Sequence, residues 1–462
     1  MSAPASPLSA FLNPRSIAVV GASDRATSSG GAVLRNLVKS RYAGRIVPVN
    51  PKGGELLGLP VASTLSSVAP ACDLVVVVVR PDGILDVVRE AAQSGHRNLL
   101  ILPGGFAEGG EEGKARDRAL RALAGANALT VAGPNCAGLI NLLEPSAPFA
   151  ATFLRDLPRG GPVGMISQSG AIAEEVIASS HTLGIPLGAV VSVGNAMQVG
   201  LTEYLQHLGD DPACSVVLLY AESFGDAQRF EAAARQVTAR KPVVALVGGR
   251  SAPGREAALR HTGSQAMSDE ATAIFCRQAG IVRVTSLRDL LLAGKAFAAH
   301  PRGIGRRVLV LSNSGGPGVL CTDRCADEGL LLPDLPEALA ERLRASYPPE
   351  AVIANPLDLL ADAREDRFGP TLQAALASGA AFDAILMIHV VPFMVDANPV
   401  VERLAQFAAG ARVPILHSMM GTLEHRQAWM QTMEQAGVPM FDNVEDMAAA
   451  AGMLARYREM WP

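Results

Sequence analysis

A chain of 462 residues is too long for a single hydrophobic core, so its length predicts roughly two to four domains. Because 49% of the residues are apolar and 18% are charged, the composition is that of a compact globular protein rather than a disordered one. The net charge of −4 excludes the basic footprint of a nucleic-acid-binding protein, and no apolar run reaches the ~18 residues that a membrane span requires. The N-terminus lacks the pattern of a secretory signal and the six cysteines form no CxxC pair, so we expect a cytoplasmic protein with buried thiols and no metal site.

Short β-branched runs alternate along the chain with Ala/Leu-rich stretches of helical spacing, a pattern typical of repeated βαβ units. In the first block this pattern predicts the strands Ile17–Gly21, Arg45–Asn50, Leu74–Val79, Asn98–Leu102 and Leu129–Val131. After a Pro/Gly-rich joint, "LPRGGPVG", it predicts Gly164–Ser167, Gly188–Val193, Val216–Tyr220, Val243–Val247 and Ile281–Val284. After a second joint, "HPRGIGRR", it predicts Val308–Ser312, Ala384–His389, Val413–Ser418 and Val438–Met440. The predicted fold class is α/β, with three successive doubly wound parallel-sheet domains (Rossmann-like or flavodoxin-like) at residues 8–145, 158–300 and 305–460.

The first strand runs into a small-residue turn, "VVGASDRATSSGGAVL", that precedes a helix. Such a turn presents backbone N–H groups and a positive helix end to an anion. A dinucleotide site would need G-x-G-x-x-G here and an acidic residue after the second strand, but Gly21 is followed by Ala-Ser and the second strand ends with Asn50 and Lys52. A lysine at this place favours another phosphate-bearing ligand, such as the ADP end of coenzyme A. A turn without any ligand stays the alternative.

The second and third blocks open with the turns "ISQSGA" and "SNSGGPGVL", in which serines and glycines stand where a strand meets a helix. Both turns could hold an anion, and both could be tight turns with capping serines. The loops "LPGGFAEGGEEG" and "GPNCAG" follow further strands of the first block, at the edge where open α/β sheets bind ligands. Cys136 could be a nucleophile, but its sequence neighbours offer no base, so a packing or backbone role is favoured.

Taken together, the ordered motifs "VVGAS", "VNPK", "GFAE", "GPNCAGLIN", "ISQSGA", "LLYAES", "HTGS", "SNSGGPGVL" and "NPLDLLADA" resemble those of the NDP-forming acyl-CoA synthetases, relatives of succinyl-CoA synthetase. The resemblance covers residues 8–460 and is to the α chain of the acetate–CoA ligase (ADP-forming) type. It implies an N-terminal CoA-binding domain, a ligase domain that carries a phosphorylated histidine, and a third ligase-like domain.

By this resemblance His261 is the phosphorylated carrier, and Glu222 is the carboxylate that orients its imidazole. A neutral imidazole is a competent nucleophile toward an acyl phosphate. The sequence departs from the commoner Glu-Gly pairing, because Ser223 follows the glutamate. Since a phosphohistidine has to travel between two sites, we expect a mobile loop of small residues at positions 254–263.

The resemblance also implies which residues bind the other groups. Phosphate is expected at the two Ser/Gly turns, on Ser167, Ser169, Gly170, Ala171, Ser314, Gly315, Gly316 and Gly318. Coenzyme A, a substrate, is expected on Gly21, Ser23, Gly30, Asn50, Lys52, Pro81, Gly105, Phe106, Glu108, Asn135 and Cys136. Three further residues are expected to line the site: Asn195, Asn355 and Asp358.

No ATP-grasp pattern is present, so we expect ATP or ADP and Mg²⁺ on a separate β subunit, in an assembly of two α and two β chains. The predicted function is that of the α subunit, which interconverts acyl-CoA, phosphate and ADP with carboxylic acid, CoA and ATP through acyl-phosphate and phosphohistidine intermediates. The alternative is a catalytically silent CoA- or acyl-CoA-binding regulatory or scaffold protein. An NAD-dependent dehydrogenase is disfavoured by Asn50, Lys52 and the missing glycine fingerprint. The acyl group, the direction of flux and the choice between ADP and GDP stay open.

Overall fold

The computed structural model describes residues 8–262, 267–391, 395–421 and 424–461, and the side chains of His261 and Thr262 lie outside its described part. The chain divides into two compact units, Met1–Leu287 and Arg288–Pro462. No helix in the described ranges is long and apolar enough to cross a membrane.

The first unit contains two larger sheets and a short hairpin. Its strands are β1 (Ser16–Val20), β2 (Arg45–Val49), β3 (Glu55–Leu56), β4 (Leu59–Pro60), β5 (Leu74–Val77), β6 (Asn98–Ile101), β7 (Thr130–Ala132), β8 (Gly138–Asn141), β9 (Phe149–Thr152), β10 (Val163–Ser167), β11 (Leu187–Ser192), β12 (Val216–Ala221), β13 (Val243–Val247) and β14 (Val282–Val284). Its helices are α1 (Ser9–Leu12), α2 (Ser29–Lys39), α3 (Pro81–Gln93), α4 (Gly110–Ala126), α5 (Gly170–Leu183), α6 (Leu201–Asp210), α7 (Ala227–Thr238), α8 (Ala252–Thr262) and α9 (Asp269–Gln278), with a 3-10 turn at Leu65–Ser67.

Both sheets of this unit are built mainly from parallel strands. The first has the order β2-β1-β5-β6-β7 and is parallel throughout. The second has the order β14-β13-β12-β10-β11-β8-β9, in which β8 and β9 are antiparallel additions to a parallel sheet. The predicted α/β class is confirmed, and these two antiparallel strands were missed because each has only four residues between turn signals. The domain boundaries stay predictions, but β8 and β9 lie on either side of residue 145 and belong to one sheet.

The apolar side chains of β1 point alternately to the two faces of the first sheet, and both faces are buried. Ile17 and Val19 belong to one buried cluster, and Ala18 and Val20 belong to another. The first of these clusters continues into residues of the second sheet, so the two sheets share a core. A buried amide reinforces the junction, since Nδ2 of Asn36 on α2 donates to the carbonyl oxygens of residues 152 and 154, both at 2.8 Å. The first two predicted blocks therefore form a single compact unit as far as Leu287, whereas residues 288–300 of the second block belong to the other unit.

The second unit is one parallel sheet, with the order β16-β15-β17-β18-β19, and its surrounding helices. Its strands are β15 (Val308–Ser312), β16 (Leu357–Asp358), β17 (Ala384–Val391), β18 (Ile415–Gly421) and β19 (Met440–Phe441). Its helices are α10 (Leu287–Ala299), which begins at the last residue of the first unit, α11 (Gly315–Asp327), α12 (Glu337–Ser346), α13 (Glu365–Ala377), α14 (Ala397–Ala408), α15 (Arg426–Gln435) and α16 (Val444–Met460).

The segment before His261 differs from its prediction. We expected a loop of small residues at positions 254–263, whereas residues 252–262 form helix α8. Ala, Arg, Glu and Leu are good helix formers, and Ser251 Oγ accepts a hydrogen bond from the N–H of Gly254 at 3.1 Å in the first turn. Gly263 lies outside the described residues.

Two histidines are buried in the core of the second unit without hydrogen-bond partners among the described residues. His389 on β17 and His417 on β18 are both 0% exposed, and their ring centroids lie 6.4 Å apart. The ring of Phe368 packs against His389, and Met419 and Met387 stand opposite the two histidines across the strands. Burial lowers the pKa of His389 to about 4, and burial together with the neighbouring His389 lowers the pKa of His417 to about 3. Both imidazoles are therefore neutral in the folded chain near neutral pH.

We expect the second unit to lose stability as the pH falls below about 6.5, the ordinary pKa of histidine in an unfolded chain. Because both folded-state pKa values are lower, the unfolded chain binds more protons in this range, and acid favours unfolding. The stabilisation by the neutral histidines is fully present above their unfolded-state pKa. Between pH 7 and pH 5 the two histidines together lower the free energy of unfolding by about 3–4 kcal/mol. Urea unfolding followed by tryptophan fluorescence measures the second unit selectively, since both tryptophans, Trp429 and Trp461, belong to it.

The double variant His389→Leu/His417→Leu is the matched control, because it keeps the carboxylates and removes the two titrating groups. Its urea midpoint is expected to fall less than that of the natural chain on acidification. Equal decreases in the two proteins would show that these histidines do not cause the acid sensitivity.

Candidate active site

The first strand-to-helix turn, between β1 and α2, requires glycine at two positions. Gly21 has a φ of +93°, and a Cβ at Gly30 would collide with the carbonyl oxygen of Gly21. Ser28 caps α2, since its Oγ accepts a backbone N–H of the first helical turn at 3.1 Å. Ser23 Oγ accepts the N–H two residues later at 3.2 Å, so this side chain folds onto its own turn. The helix start thus approaches the sheet closely, the geometry that presents backbone N–H groups to an anion.

The end of β2 is tied to this turn by Asn50. Nδ2 of Asn50 donates to the carbonyl oxygen of Ala22 at 2.8 Å, and its Oδ1 accepts the N–H of Lys52 at 3.0 Å. The Lys52 side chain is exposed. Asn50 therefore has a structural function in the turn, and Lys52 supplies a cation beside it.

Glu108 ties the edge loop of the first sheet to the second sheet. One carboxylate oxygen accepts the N–H groups of Gly105 and Phe106, and the other accepts Nδ2 of Asn195. Burial by itself raises the pKa of a carboxyl group, but the hydrogen bonds from Asn195 and the backbone outweigh it, so the pKa of Glu108 lies below its ordinary value. Asn135 donates from Nδ2 to Oδ1 of Asn195 at 3.3 Å. The structure thus brings Glu108, Asn135 and Asn195 into one hydrogen-bonded row.

Two of the predicted CoA-binding side chains point into the protein core. Phe106 is 0% exposed, so its ring is not available to a ligand. Cys136 is buried, its Sγ donates to the carbonyl oxygen of Ile101 at 3.4 Å, and burial raises its pKa to about 12. A neutral buried thiol is a poor nucleophile, in agreement with a packing role. Pro81 begins α3, and its ring packs beside Gly105, where a Cβ would come within 3.2 Å of the ring.

The second turn, between β10 and α5, is closed by its own serines. Ser167 Oγ donates to the carbonyl oxygen of Ser169 at 2.7 Å and accepts the N–H of Ser169 at 3.1 Å. Ser169 Oγ in turn caps α5 by accepting a backbone N–H at 3.3 Å. Gly170 is the first helical residue, and a Cβ there would approach Ala137 to 3.3 Å. Both hydroxyls are used within the turn, so an anion would be bound by the first backbone N–H groups of α5, which have no partners inside the helix.

A cavity of about 590 Å³ lies where these elements meet. It is lined by the start of α2, the edge loops of the first sheet, the segment after β9 and the first turn of α5, through Ser29, Val78, Leu102, Pro103, Gly104, Asn135, Cys136, Ala137, Phe153, Leu154, Gln168, Ser169, Gly170, Ala171 and Glu174. The volume is typical of small-molecule pockets. The predicted phosphate-binding turn and two of the predicted CoA-binding residues therefore border the same space.

Glu222 follows β12, is 8% exposed and lines a second, smaller cavity of about 300 Å³. The hydroxyl of Tyr220 donates to Oε1 of Glu222 at 3.3 Å, and burial and this carboxylate raise the pKa of Tyr220 to about 12. Oε1 of Gln168, from the second turn, accepts the N–H of Glu222 at 2.5 Å and that of Ser223 at 3.1 Å. Glu222 is therefore held at its backbone by the second turn and at its carboxylate by a tyrosine.

His261 stands near the C-terminal end of α8, and its side chain lies outside the described residues. Helix α8 follows β13, which pairs in parallel with β12, so the loops after both strands leave the same sheet edge. Gly248, after β13, donates its N–H to the carbonyl oxygen of Ala221 at 2.8 Å. Met267, a short distance after His261 in sequence, lines the same cavity as Glu222. The backbone thus brings the segments that carry the predicted histidine and carboxylate to one edge.

The third turn, between β15 and α11 in the second unit, repeats the hydrogen bonds of the second. Ser312 Oγ donates to the carbonyl oxygen of Ser314 at 2.8 Å and accepts the N–H of Ser314 at 3.0 Å. Asn313 takes the position that Gln168 has in the second turn, and its amide exchanges two hydrogen bonds of 2.8 Å with the backbone of Val390. The two turns therefore have the same pattern of serine hydrogen bonds, although they belong to different units.

The glycines at the start of α11 leave space beside the helix N-terminus. Gly316 has no atom within 4 Å of the position that a Cβ would take. A Cβ at Gly318 would make only ordinary van der Waals contacts. A Cβ at Gly315 would lie 3.3 Å from Oδ2 of Asp358, whose Oδ1 accepts the N–H of Leu360 at 2.9 Å. Asp358 therefore adds a negative charge at the border of this turn.

Asn355 uses its amide within the fold. Its Oδ1 accepts the N–H of Val310 at 3.0 Å, and its Nδ2 donates to the carbonyl oxygens of Val308 and Pro333, both at 2.9 Å. Both amide N–H donors are therefore used to hold a loop against β15, and neither is left for a ligand.

Sequence reasoning missed Gln168, Tyr220 and Phe153. The first two carried a readable signal. Gln168 is an amide between two serines, as Asn313 is, and Tyr220 stands on β12 two residues before Glu222, the spacing that places side chains on one face of an extended chain. Phe153 carried no signal, since its 38% exposure depends on which segments pack around it.

Three family models match successive parts of the chain: a CoA binding domain at residues 15–141, a succinyl-CoA ligase like flavodoxin domain at residues 160–297, and a ligase-CoA domain at residues 308–461. The α subunit of ADP-forming acetate–CoA ligase II of Pyrococcus furiosus is 32% identical over 450 residues, which cover 96% of this chain and 97% of the relative. The chain belongs to the ADP-forming acyl-CoA ligases. These enzymes are acid–thiol ligases. A second relative, the α subunit of ADP-forming acetate–CoA ligase I of the same organism, is 31% identical to this chain, and the match covers 97% of both chains.

A solved structure of the same ligase family agrees with this fold over the whole chain. The dinucleotide-forming acetyl-coenzyme A synthetase 1 of Candidatus Korarchaeum cryptofilum, in complex with phosphate and ADP, matches with a TM-score of 0.91 at 30% identity and covers 98% of both chains. The likeness therefore includes both units of this ligase chain.

Some members of the family are longer than this chain. The ADP-forming 4-hydroxybutyrate–CoA ligase of Nitrosopumilus maritimus is 28% identical over 98% of this chain, but the match covers 64% of that ligase. ADP-forming acetate–CoA ligase I of Archaeoglobus fulgidus is 33% identical over 78% of this chain and 52% of its own length. The part shared with this ligase chain is thus only a portion of those polypeptides.

Proposed function

We propose that this chain is an α subunit that converts acyl-CoA and phosphate into CoA, a carboxylic acid and a phosphorylated histidine, reversibly, and exchanges that phosphoryl group with a nucleotide held by a β subunit. The observation that carries the proposal is the cavity of about 590 Å³. One of its walls is the N-terminus of α5, and another is formed by the edge loops of the first sheet. Phosphate at the helix end and a thioester lying along the loops can therefore meet in one space.

The chemistry has two steps on this chain. A phosphate oxygen attacks the thioester carbonyl carbon, the C–S bond breaks, and CoA leaves as a thiolate that takes up a proton. The imidazole nitrogen of His261 then attacks the phosphorus of the acyl phosphate, the bond from phosphorus to the acyl oxygen breaks, and the carboxylate leaves. In the direction of synthesis the same bonds form and break in reverse order.

The α5 N-terminus and Glu222 would assist these steps electrostatically. Backbone N–H groups at the helix start favour the charge that builds up on the phosphoryl oxygens. Glu222 would accept a hydrogen bond from the second imidazole nitrogen and stabilise the positive charge that develops as the first nitrogen attacks. The burial of Glu222 and its hydrogen bond from Tyr220 support this role, because they hold the carboxylate in one position.

The turn between β15 and α11 is proposed as the second phosphate-binding helix start of the reaction. Its serine hydrogen bonds match those of the second turn, and Gly316 leaves the helix end open. The negative charge of Asp358 would repel a phosphoryl group on its own side of the turn. The group would therefore approach the helix start from the other, open side.

The nucleotide, with its Mg²⁺, is proposed to bind to a separate ATP-grasp β subunit, in an assembly of two α and two β chains. In support, relatives named as α subunits align over 97% of their own length, whereas longer ligases align over 52–64% of theirs. The remaining part of the longer ligases is where the nucleotide-binding function is expected. This chain would accordingly perform the CoA half-reaction by itself and full turnover only with its partner.

The half-reaction tests the proposal directly. The purified chain is incubated with phosphate and one acyl-CoA at a time, and its intact mass is measured. We expect the gain of one phosphoryl group, labile in acid and stable in base, on the peptide that contains His261. If no acyl-CoA phosphorylates a chain that binds CoA normally, the protein is instead a CoA-binding regulatory or scaffold protein.

A further inference from the structure

A third cavity, of about 380 Å³ and here called the arginine cavity, lies in the second unit. It is bordered by three loops that each follow a helix: residues 299–303, 408–415 and 436–438. Ile415, the first residue of β18, is level with Leu309 near the start of β15, since both pair with Ile385. The third turn, by contrast, follows the end of β15. Because the ligands of open α/β sheets react at the carboxyl ends of the strands, a cavity at the amino ends lies outside the proposed reaction.

The charge of the arginine cavity is one-sided. Arg302 and Arg412 line it with exposed side chains, and neither guanidinium group has a hydrogen bond or an ion pair with any described residue. Arg307, five residues after Arg302, is by contrast paired with Asp383 at 2.7 Å. No aspartate or glutamate occurs in the part of the lining that the structure describes. Two guanidinium groups without a protein partner offer paired N–H donors that suit a carboxylate or a phosphate.

His300 contributes a hydrogen bond to this lining but no charge. Its Nε2 donates to the carbonyl oxygen of Ile415 at 3.1 Å, so this nitrogen carries the ring proton. Burial lowers the pKa of His300, and the hydrogen bond opposes this shift only in part, so the imidazole is neutral near neutral pH. The bond fixes the loop after α10 to the start of β18 and thereby holds two walls of the arginine cavity together.

The rest of the lining is mainly apolar. Its larger apolar side chains are those of Pro301, Val413, Pro414, Ile415 and Val438. Ile415 and Val438 are both only 2% exposed, so they belong to the core of the unit and give the cavity a firm wall. The volume lies at the lower end of the range for small-molecule pockets and exceeds what an anionic group alone would fill. An apolar body attached to the anion would be removed from water against these side chains.

Three helices end at the arginine cavity, and their C-termini oppose an anion because unpaired carbonyl groups give a helix end a partial negative charge. Part of this charge is neutralised locally. The N–H groups of His300, Ala409 and Val438, in the loops that follow, donate to carbonyl oxygens in the last turns of α10, α14 and α15. Even without these bonds, three helix ends would contribute roughly 1.5 negative charges, fewer than the two positive charges of the guanidinium groups.

From this combination we infer that the arginine cavity is a second ligand site of the chain, which binds a small organic anion through Arg302 and Arg412. The anionic group is a phosphate or a carboxylate, and the apolar body of the ligand lies against Val413, Ile415 and Val438. The inference goes beyond the proposed function and does not depend on it, because none of these residues belongs to the segments that are proposed to react.

Titration calorimetry with phenyl phosphate tests this site, because the probe joins a phosphate to an apolar ring. We expect it to bind at least about tenfold more tightly than inorganic phosphate, which lacks the ring, and than phenol, which lacks the charge. Benzoate is titrated under the same conditions, and the ratio of the two dissociation constants decides between a phosphate and a carboxylate as the preferred anionic group. All titrations are made at one ionic strength, since salt screens exposed charges.

Variants of the two arginines locate the binding. Arg302→Gln and Arg412→Gln each remove one charge from an exposed side chain, and each should raise the dissociation constant of phenyl phosphate about tenfold. Arg412→Lys keeps the charge but not the paired donors, so it should have a smaller effect than Arg412→Gln. The matched control is Arg342→Gln on α12, an exposed arginine of the same unit outside the cavity lining, which should leave the dissociation constant unchanged.

The variants also separate this site from the proposed phosphate-binding turns before α5 and α11. If phenyl phosphate bound the natural chain and both glutamine variants equally well, it would occupy one of those turns, and the inference would be wrong. Equal affinities for phenyl phosphate and inorganic phosphate, or no binding of any probe, would overturn it as well. Phosphorylation by acyl-CoA does not enter these measurements, so a failure of the proposed function leaves this test unaffected.

Discussion

In the variant His261→Asn, we expect no phosphoryl group to be gained from any acyl-CoA and phosphate. The asparagine side chain keeps a polar amide but has no nucleophilic nitrogen, so the acyl phosphate has no acceptor on the chain. The intact mass of the variant after incubation should equal that of the untreated protein. CoA binding should be unchanged, because the predicted CoA residues belong to other segments of the first unit.

The structure of α8 makes this variant informative. Among the described side chains of residues 252–260, only Ala258 is buried, so the helix makes few core contacts that a substitution could disturb. His425→Asn is the matched control, since it makes the same change at an exposed histidine of the second unit. If the mass gain persisted in His261→Asn and disappeared in another histidine variant, the carrier would be that other residue.

We expect Glu222→Gln to slow phosphorylation of the chain by up to about 10⁴-fold, the loss seen when the carboxylate that orients the histidine of a serine protease triad is replaced by its amide. The glutamine keeps the size of the side chain and its hydrogen bond from Tyr220, but it has no negative charge for the developing imidazolium. The loss should therefore lie in the rate at saturating acyl-CoA, with the concentration for half-maximal rate nearly unchanged. Single-turnover mass measurements over time give both quantities.

Two further variants separate a catalytic from a structural effect of Glu222. Glu144→Gln makes the same change at an exposed position outside the site and should leave the rate unchanged. Gln168→Met removes the amide oxygen that accepts the N–H groups of Glu222 and Ser223, so it should slow the same step by a smaller factor. If Glu222→Gln reduced only the folded fraction and not the rate per folded molecule, the carboxylate would be a structural group.

Much of this fold follows from local sequence pattern. The β-branched run at Leu74–Val77 is a buried strand because its side chains are apolar on both faces, as a parallel sheet between two helix layers requires. The second and third turns were also predictable, because small and hydroxylated residues between an apolar strand and a helix are typical of a tight strand-to-helix turn. Short strands such as β8 and β9 were not predicted, because four residues are too few to show a periodic pattern.

The contacts of individual motif residues were less predictable than the strands and turns on which they stand. Phe106 and Glu108 belong to one motif, yet the ring is buried in the core and the carboxylate bonds to Asn195, in the turn after a strand of the other sheet. Nothing in the motif distinguishes the two, because burial and long-range hydrogen bonds depend on segments that are distant in the chain. The prediction of a loop before His261 was wrong for a related reason: small residues were interpreted as a sign of mobility, although alanine, glutamate and leucine also favour a helix.

The sequence by itself determined that this protein is an α/β protein with repeated strand–turn–helix units, and that serine- and glycine-rich turns connect the first strand of a block to its helix. Those properties depend on residues close together in the chain, where side-chain pattern and backbone geometry are directly linked. Only the tertiary structure decided that the turn before α5 and the edge loops of the first sheet share a cavity, that Gln168 and Tyr220 hold Glu222, and that Phe153 keeps an exposed face there. These facts arise from contacts between segments far apart in sequence, which packing brings together and no local pattern encodes.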